Sequence, residues 1–466
     1  MTIKEHVRRN PGLPAKDLLN EDGPAGWVVA AACIWISFIT GITLRPLAFY
    51  FVNFVARYES GREPVAWTVS LTSASVIFSG VLSKVLLRWF SPWSLMVLGS
   101  MFQVTGVFVA YFAPNVYALA ASFGFLHGIG AGLVFVLSGT FIQKHFQENR
   151  SYVMKLNVTA SCAAGIAFPR LLLFFRQEYG YPGLILLSGG VLLNVPVLCI
   201  LLRKPANPKI NNTMCTTTSP KVFTIDQPSS SSARSNLRSG EKSMFKIPMF
   251  YFTAISHLVF FYTINLHSSI VVDAILSKGV PVVQTITVAP VVTIFDWIGR
   301  VIIPLSTEKG YTSRTTLVMV DYLVVGVGLF VLPYANNYGT VLATCVSFGA
   351  FSGHAITVHN PLMAQYVGFN RVNVANVIVT CIAAATFFTK PFVIGYFRDH
   401  LGSYDGLYRI MGIVTISNAA AWLVVNCIMR HRKTRTWTTS NSQLKLCEEP
   451  VLINYQSIFL TSMMAE

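Results

Sequence analysis

Twelve apolar stretches, each about 20 residues long, constrain this chain more than any other feature of its 466 residues. They lie at 27–54, 65–87, 93–112, 115–142, 151–175, 183–202, 246–271, 281–305, 314–334, 338–360, 372–397 and 406–429. A helix rising 1.5 Å per residue crosses the hydrocarbon core of a bilayer in a stretch of that length. Lipid offers no water to backbone N–H and C=O groups, so a segment of this kind satisfies them internally, as a helix. The expected fold class is an all-α integral membrane protein with twelve transmembrane helices. Only 12% of residues are charged, against about 25% in a soluble globular protein. A soluble chain is excluded.

One link breaks the short-loop pattern. Residues 203–245 contain TTTSP, four consecutive serines at 229–232, and Arg234, Arg238 and Lys242. With so few apolar residues to bury, this stretch is expected to be a disordered linker. It separates two six-helix bundles, 27–202 and 246–429, flanked by an N-terminal segment (1–26) and a tail (430–466). The first 25 residues hold no apolar h-region, so the first span is itself the expected membrane signal.

Lys and Arg set the expected orientation. With the N-terminus inside, 25 of the 35 fall in or beside cytosolic segments and five outside: Arg57, Arg62, Arg176, Lys278 and Arg398. That bias places both termini in the cytosol. The net charge of +16 then reads as a topological coat, and nucleic acid, which calls for a basic stripe on a polar domain, is not an expected partner. The acceptor triplets at Asn149, Asn157 and Asn211 would lie out of reach of lumenal glycosylation.

The remaining five basic residues, Arg45, Arg170, Arg300, Lys390 and Arg409, fall within spans. Charge at the bilayer midplane costs about 2.5–3.5 kcal/mol on insertion scales, so such residues point to function or to pairing. In TIFDWIGRVIIP, Asp296 and Arg300 are four apart and share a helical face. They are read as an anion-binding guanidinium with a counter-ion or proton carrier, the alternative being an ion pair that only locks the helix. Arg45 sits in GITLRPLAF beside Pro46, which disturbs a helix and frees carbonyls. It is a second candidate for the anion, unless it snorkels to the interface. Asp321, Lys390, His257 and His354 are weaker candidates, with structural roles at least as plausible. Arg170, His127, His267 and His359 are weaker still.

Catalytic signatures are absent: there is no GxSxG, Walker A, HExxH or strand–helix GxGxxG, so no enzyme activity is expected. The eight cysteines include no C-x-x-C pair, and neither a metal nor another cofactor is expected. The small-residue runs ASCAAGIA (160–167) and GFLHGIGAG (124–132) suit close helix contact.

With this layout the chain resembles a major facilitator, and within that superfamily a divergent member of the monocarboxylate transporter family. The family's span-one opening is matched by Asp22, Gly23, Gly26 and Trp27, with Pro24 and Ala25 departing from it. Its span-five signature is partly kept in HFQENRSYVMKLNVTASCAAG, through Phe146, Arg150 and the small-residue stripe. The span-eight Asp-x-x-x-Arg is intact as Asp296 and Arg300. The resemblance implies alternating access, a carboxylate on Arg300 and coupling through Asp296. Where proton-coupled members carry a span-one lysine, this chain has Arg45, which holds an anion but does not release its proton. The resemblance therefore implies a carrier of monocarboxylates or related organic anions, with or without protons. Alternatives are an uncoupled carrier of aromatic amino acids or similar amphipathic solutes, and a non-transporting sensor with a carrier fold. A cell-membrane location is implied, and a single-span chaperone subunit is a partner some relatives need. In the tail, Glu448-x-x-x-Leu452-Ile453 and Tyr455-x-x-Ile458 resemble endosomal or lysosomal sorting signals.

Overall fold

The computed structural model describes residues 24–146, 149–202, 244–308 and 311–446. The linker, the start of the N-terminal segment with Asp22 and Gly23, and the tail's sorting patterns lie outside the described residues. Among the described residues, eleven helices are long and apolar enough to cross a membrane. They are α1 (Gly26–Tyr58), α2 (Arg62–Leu86), α3 (Pro92–Tyr111) and α4 (Val116–His145), then one run over Tyr152–Leu201. After these come α7 (Pro248–Leu276), α8 (Val282–Pro304), α9 (Arg314–Tyr334), α10 (Tyr338–Val367), α11 (Val374–His400) and α12 (Asp405–Met429). The long run is broken at Gly180, whose φ of 68° and ψ of −167° are open to glycine and strained for other residues. It therefore supplies two spans, α5 (152–179) and α6 (181–201). No strand occurs among the described residues.

Several helices outrun their apolar windows. α7 continues from residue 271 to Leu276, carrying Asp273 with it, and α10 continues from 360 to Val367. A charge ends a hydropathy window without ending a helix when, like Asp273, it has partners.

Within the first half α1 packs on α5, and α4 on α2 and α3; within the second, α8 packs on α10, and α9 on α10 and α12. Glycines in α4 permit these approaches: a Cβ on Gly128 would lie 3.1 Å from the Thr72 carbonyl oxygen, and one on Gly130 would strike the Gln103 backbone. Trp27 meets Phe146 edge-on at 5.3 Å, joining the start of α1 to the end of α4. Large apolar side chains remain exposed around the outside, among them Trp35, Phe112, Phe125, Ile255 and Val424. On a soluble protein such a belt would aggregate; around a bundle of spanning helices it faces lipid.

The halves meet through α1–α7, α2–α11 and α5–α8. At one end, a polar lock joins α2 to α7 and α11. The Asp399 carboxylate accepts the backbone N–H groups of Arg62 (2.9 Å) and Glu63 (3.0 Å) at the α2 N-terminus. Anionic groups are favoured there because those N–H groups lack helical partners. Arg62 Nε lies 3.5 Å from Asp273 Oδ2, and the Tyr404 hydroxyl donates to the same oxygen at 2.7 Å. Burial, with the Asp273 carboxylate beside it, holds the Tyr404 phenol protonated far above its ordinary range. Gly61 and Gly395 admit the contact: a Cβ at 61 would lie 2.9 Å from Asp399 Oδ2, and one at 395 would strike Glu63. One turn inward, Trp67 packs edge-on against Phe392 at 5.4 Å. Toward their other ends α2 and α11 part around a cavity of about 240 Å³ lined by Gly80, Lys84, Asn376 and Thr380.

Candidate functional site

α1 turns at Arg45 and Pro46. Proline has no N–H to offer Ile42, and the helix restarts with Phe49 and Tyr50 donating to the Pro46 carbonyl at 2.9 and 3.2 Å. The interruption puts Arg45 on the inner face, where it donates to Ser161 Oγ (Nη2 at 3.2 Å) and approaches Cys162 Sγ at 3.4 Å. Ser161 and Cys162 belong to the small-residue run of α5, which lies tight on α1 because Gly41 meets the Ala164 methyl group. Cys162 Sγ is in turn 4.0 Å from Asp296 Oδ2 on α8.

On α8, Arg300 donates through Nε to Asp296 Oδ2 and through Nη2 to Oδ1, each at 3.0 Å. This is the two-pronged geometry that a carboxylate and a guanidinium share. Gly353 on α10 makes room for it, since a Cβ there would lie 2.6 Å from Asp296 Oδ1. A chain of contacts therefore runs from α1 through α5 to α8, crossing from one half of the molecule to the other.

Arg45, Asp296 and Arg300 line one cavity of about 220 Å³ between the halves. They are the only charged residues on its wall among the described residues, so the wall carries a net positive charge. The rest is mostly apolar, including Phe49, Ile264, Val271, Val292 and Phe348, with Ser268, Thr285, Thr293 and Ser352 interspersed. At about 30 Å³ per water the space holds roughly seven. It is large enough for a small organic anion.

The weaker candidates lie elsewhere. Asp321 and His354 form a pair at 2.7 Å, each 1% exposed, between α9 and α10. Lys390, fully buried in α11, donates to Ser269 Oγ at 3.0 Å and lies 4.9 Å from the Phe387 ring centre. His257 meets His359 at 4.2 Å between ring centres beside a separate cavity of about 30 Å³, the size of one water. None of Asp321, Lys390, His257 and His354 lines the central cavity. Arg170 is exposed away from it, and His127 bonds the Gln103 carbonyl at 3.0 Å.

Sequence reasoning undervalued His267, which does line the cavity, and missed Ser161 and Cys162 as contacts of Arg45. A lone histidine in a span carries no signal of which way it faces. The spacing of Arg45 and Ser161 on different helices carries none either. No set of three or more metal-ligating side chains is gathered among the described residues.

Comparison with known proteins bears on the fold and the overall class of the chain. No family model matches the chain. It is similar to the proteins named monocarboxylate transporter 12 of Rattus norvegicus (22% identity, 85% of this chain and 84% of that protein) and of Homo sapiens (22%, 89% and 83%). It is also similar to monocarboxylate transporter 13 of Rattus norvegicus (23%, 87% and 90%). Among solved structures, that of a D-xylose-proton symporter superposes with a TM-score of 0.64 at 15% identity, over 85% of this chain and 96% of that one. The fold is that of a major facilitator, and the chain is a multi-pass membrane transporter homologous to monocarboxylate transporters.

Proposed function

We propose that this transporter moves monocarboxylates or related organic anions by alternating access, with the carboxylate held by Arg300 and Arg45. The observation that carries the reading is that the Asp296–Arg300 fork and Arg45 line the same cavity, with Cys162 between them. Two guanidinium groups against one carboxylate leave room for one more negative charge. An arriving carboxylate competes with Asp296 for the Arg300 fork. A proton on Asp296 frees the fork for it, which is how binding and proton uptake would be linked. Arg45 keeps its charge throughout, since arginine does not titrate in this range.

The two halves rock about the cavity, as in carriers built from paired bundles. The division into 1–26, 27–202, 203–245, 246–429 and 430–466 fits that motion, the linker joining the halves. With both termini in the cytosol, the Arg62–Asp273–Asp399 lock faces outward, and the gap between α2 and α11 opens inward. The protein would sit in the cell membrane, or reach endosomes through its tail signals, with or without a single-span chaperone.

A second reading, favoured by the apolar wall with Phe49 and Phe348, is an uncoupled carrier of aromatic amino acids or similar amphipathic solutes. A sensor has less support, because sensing needs no titratable partner beside the anion site. Uptake of a radiolabelled monocarboxylate panel into oocytes, with and without an inward proton gradient, separates the three. Gradient-stimulated uptake supports coupling, gradient-independent uptake the facilitator, and no uptake of any organic acid rejects both.

A further inference from the structure

His267 differs from the other histidines within the spans. His127, His354 and His359 are held by the Gln103 carbonyl, Asp321 and the Tyr322 hydroxyl respectively. His267 has no hydrogen-bond partner among the described residues, although it is only 4% exposed. Its ring is fixed by Phe348, 4.0 Å away between ring centres, and by Tyr408 at 5.7 Å. The Tyr408 hydroxyl is also buried without a partner. A buried polar group left unpaired costs about 1–3 kcal/mol, and of these two only His267 lines the cavity, where something could satisfy it. His257 is unpaired too, but it borders a space for a single water. His267 borders the substrate-sized cavity.

Its height matters. His267 lies nine residues before the end of α7, and Asp296 fourteen residues after the start of α8. At 1.5 Å per residue, His267 sits about 8 Å nearer the lock than Asp296. The wall between is mostly apolar, with Ile264, Val292 and Phe348 beside Thr293. A three-carbon acid bound at Arg300 leaves this upper chamber empty.

We propose that His267 is a second recognition point, bonding a neutral hydroxyl or carbonyl group at the far end of an anion whose carboxylate lies on Arg300 and Arg45. A neutral imidazole has one donor and one acceptor nitrogen, so it serves either group. The substrate class is an elongated monocarboxylate: a charged head, an apolar body against Phe348 and a polar tip. Such an acid fills the cavity, whereas a short one leaves it to water. This inference rests on the carrier reading above and narrows its substrate class.

The test is uptake of 3-(4-hydroxyphenyl)propionate against 3-phenylpropionate in oocytes, with lactate alongside and surface labelling of every variant. In the wild type the hydroxylated acid should have a KM about tenfold lower, because an unpaired site group discriminates against the analogue that lacks its partner. His267→Phe should abolish that preference, bringing the KM values of the two acids together. His267→Asn, which keeps a donor and an acceptor, should retain part of it. Equal KM values in the wild type overturn the proposal, as does a preference that survives His267→Phe. Uptake of lactate but of neither aryl acid overturns it and leaves the carrier reading standing. No uptake of any acid removes both. The wild-type comparison decides even if a variant fails to reach the surface.

Discussion

Asp296 accepts both prongs of the Arg300 guanidinium at 3.0 Å while its Oδ2 lies 4.0 Å from the thiol of Cys162, on the opposite half of the molecule. The carboxylate is thus the point where the Arg300 fork and the interface between the halves meet, and in the proposed mechanism it is also where the proton acts. Asp296→Asn removes the competing negative charge but keeps the shape. It should preserve anion binding and remove any dependence of uptake on an inward proton gradient. Exchange of labelled for unlabelled substrate, measured with and without the gradient, checks this. A gradient response surviving in Asp296→Asn would place coupling elsewhere.

Arg45 reaches Ser161 and Cys162 from the turn at Pro46. Arg45→Ala should raise KM for an anion about tenfold or more, the loss of a charged hydrogen bond of about 1.5–3 kcal/mol. Arg45→Lys keeps the charge on a group able to titrate. Its affinity should therefore fall more steeply than that of the wild type as pH rises through the lysine's range. KM measured from pH 6 to 9 in both proteins is the check, and parallel profiles would contradict the assignment.

The lock depends on Asp399 and Asp273. Asp399→Asn weakens the acceptor for two N–H groups at the α2 N-terminus, and Asp273→Asn removes the counter-ion of Arg62. Each should shift the balance toward the state open on that side. A cysteine placed at Thr285, on the cavity wall, reports the shift through its labelling by a membrane-impermeant thiol reagent. The rate should rise several-fold in either lock variant, and an unchanged rate would mean that the lock does not hold the halves together.

Asp321 and His354 are buried against each other away from the cavity, so their contribution is to the bundle. Removing one member of a buried hydrogen-bonded pair leaves the other unsatisfied, at a cost of about 1–3 kcal/mol. Asp321→Ala should lower the melting temperature in detergent and the surface abundance, with KM unchanged for the molecules that arrive. A large change in KM at normal stability would instead make the pair part of the transport path.

What the sequence disclosed follows from what hydropathy and periodicity measure. Asp296 and Arg300 were legible because a four-residue spacing fixes their shared face whatever surrounds the helix. Arg45 was legible through its depth in a span and its proline. Hydropathy gives depth but not which way a side chain faces, so Lys390, Asp321, His257 and His354 stood as weaker candidates and His267 was not placed above them. Only packing separates them, through Phe348 and Tyr408 on one side and the open cavity on the other. Helix ends were misjudged where a charge has partners, as with Asp273, and the α5–α6 break falls at Gly180, between the expected spans 151–175 and 183–202.

The most direct test compares uptake of a labelled monocarboxylate by the wild type and by Arg300→Ala at matched surface abundance. The expected result is saturable uptake in the wild type, competed by other monocarboxylates and reduced to the level of uninjected cells in the variant. Uptake unaltered in Arg300→Ala would contradict the assignment of the anion site to this cavity.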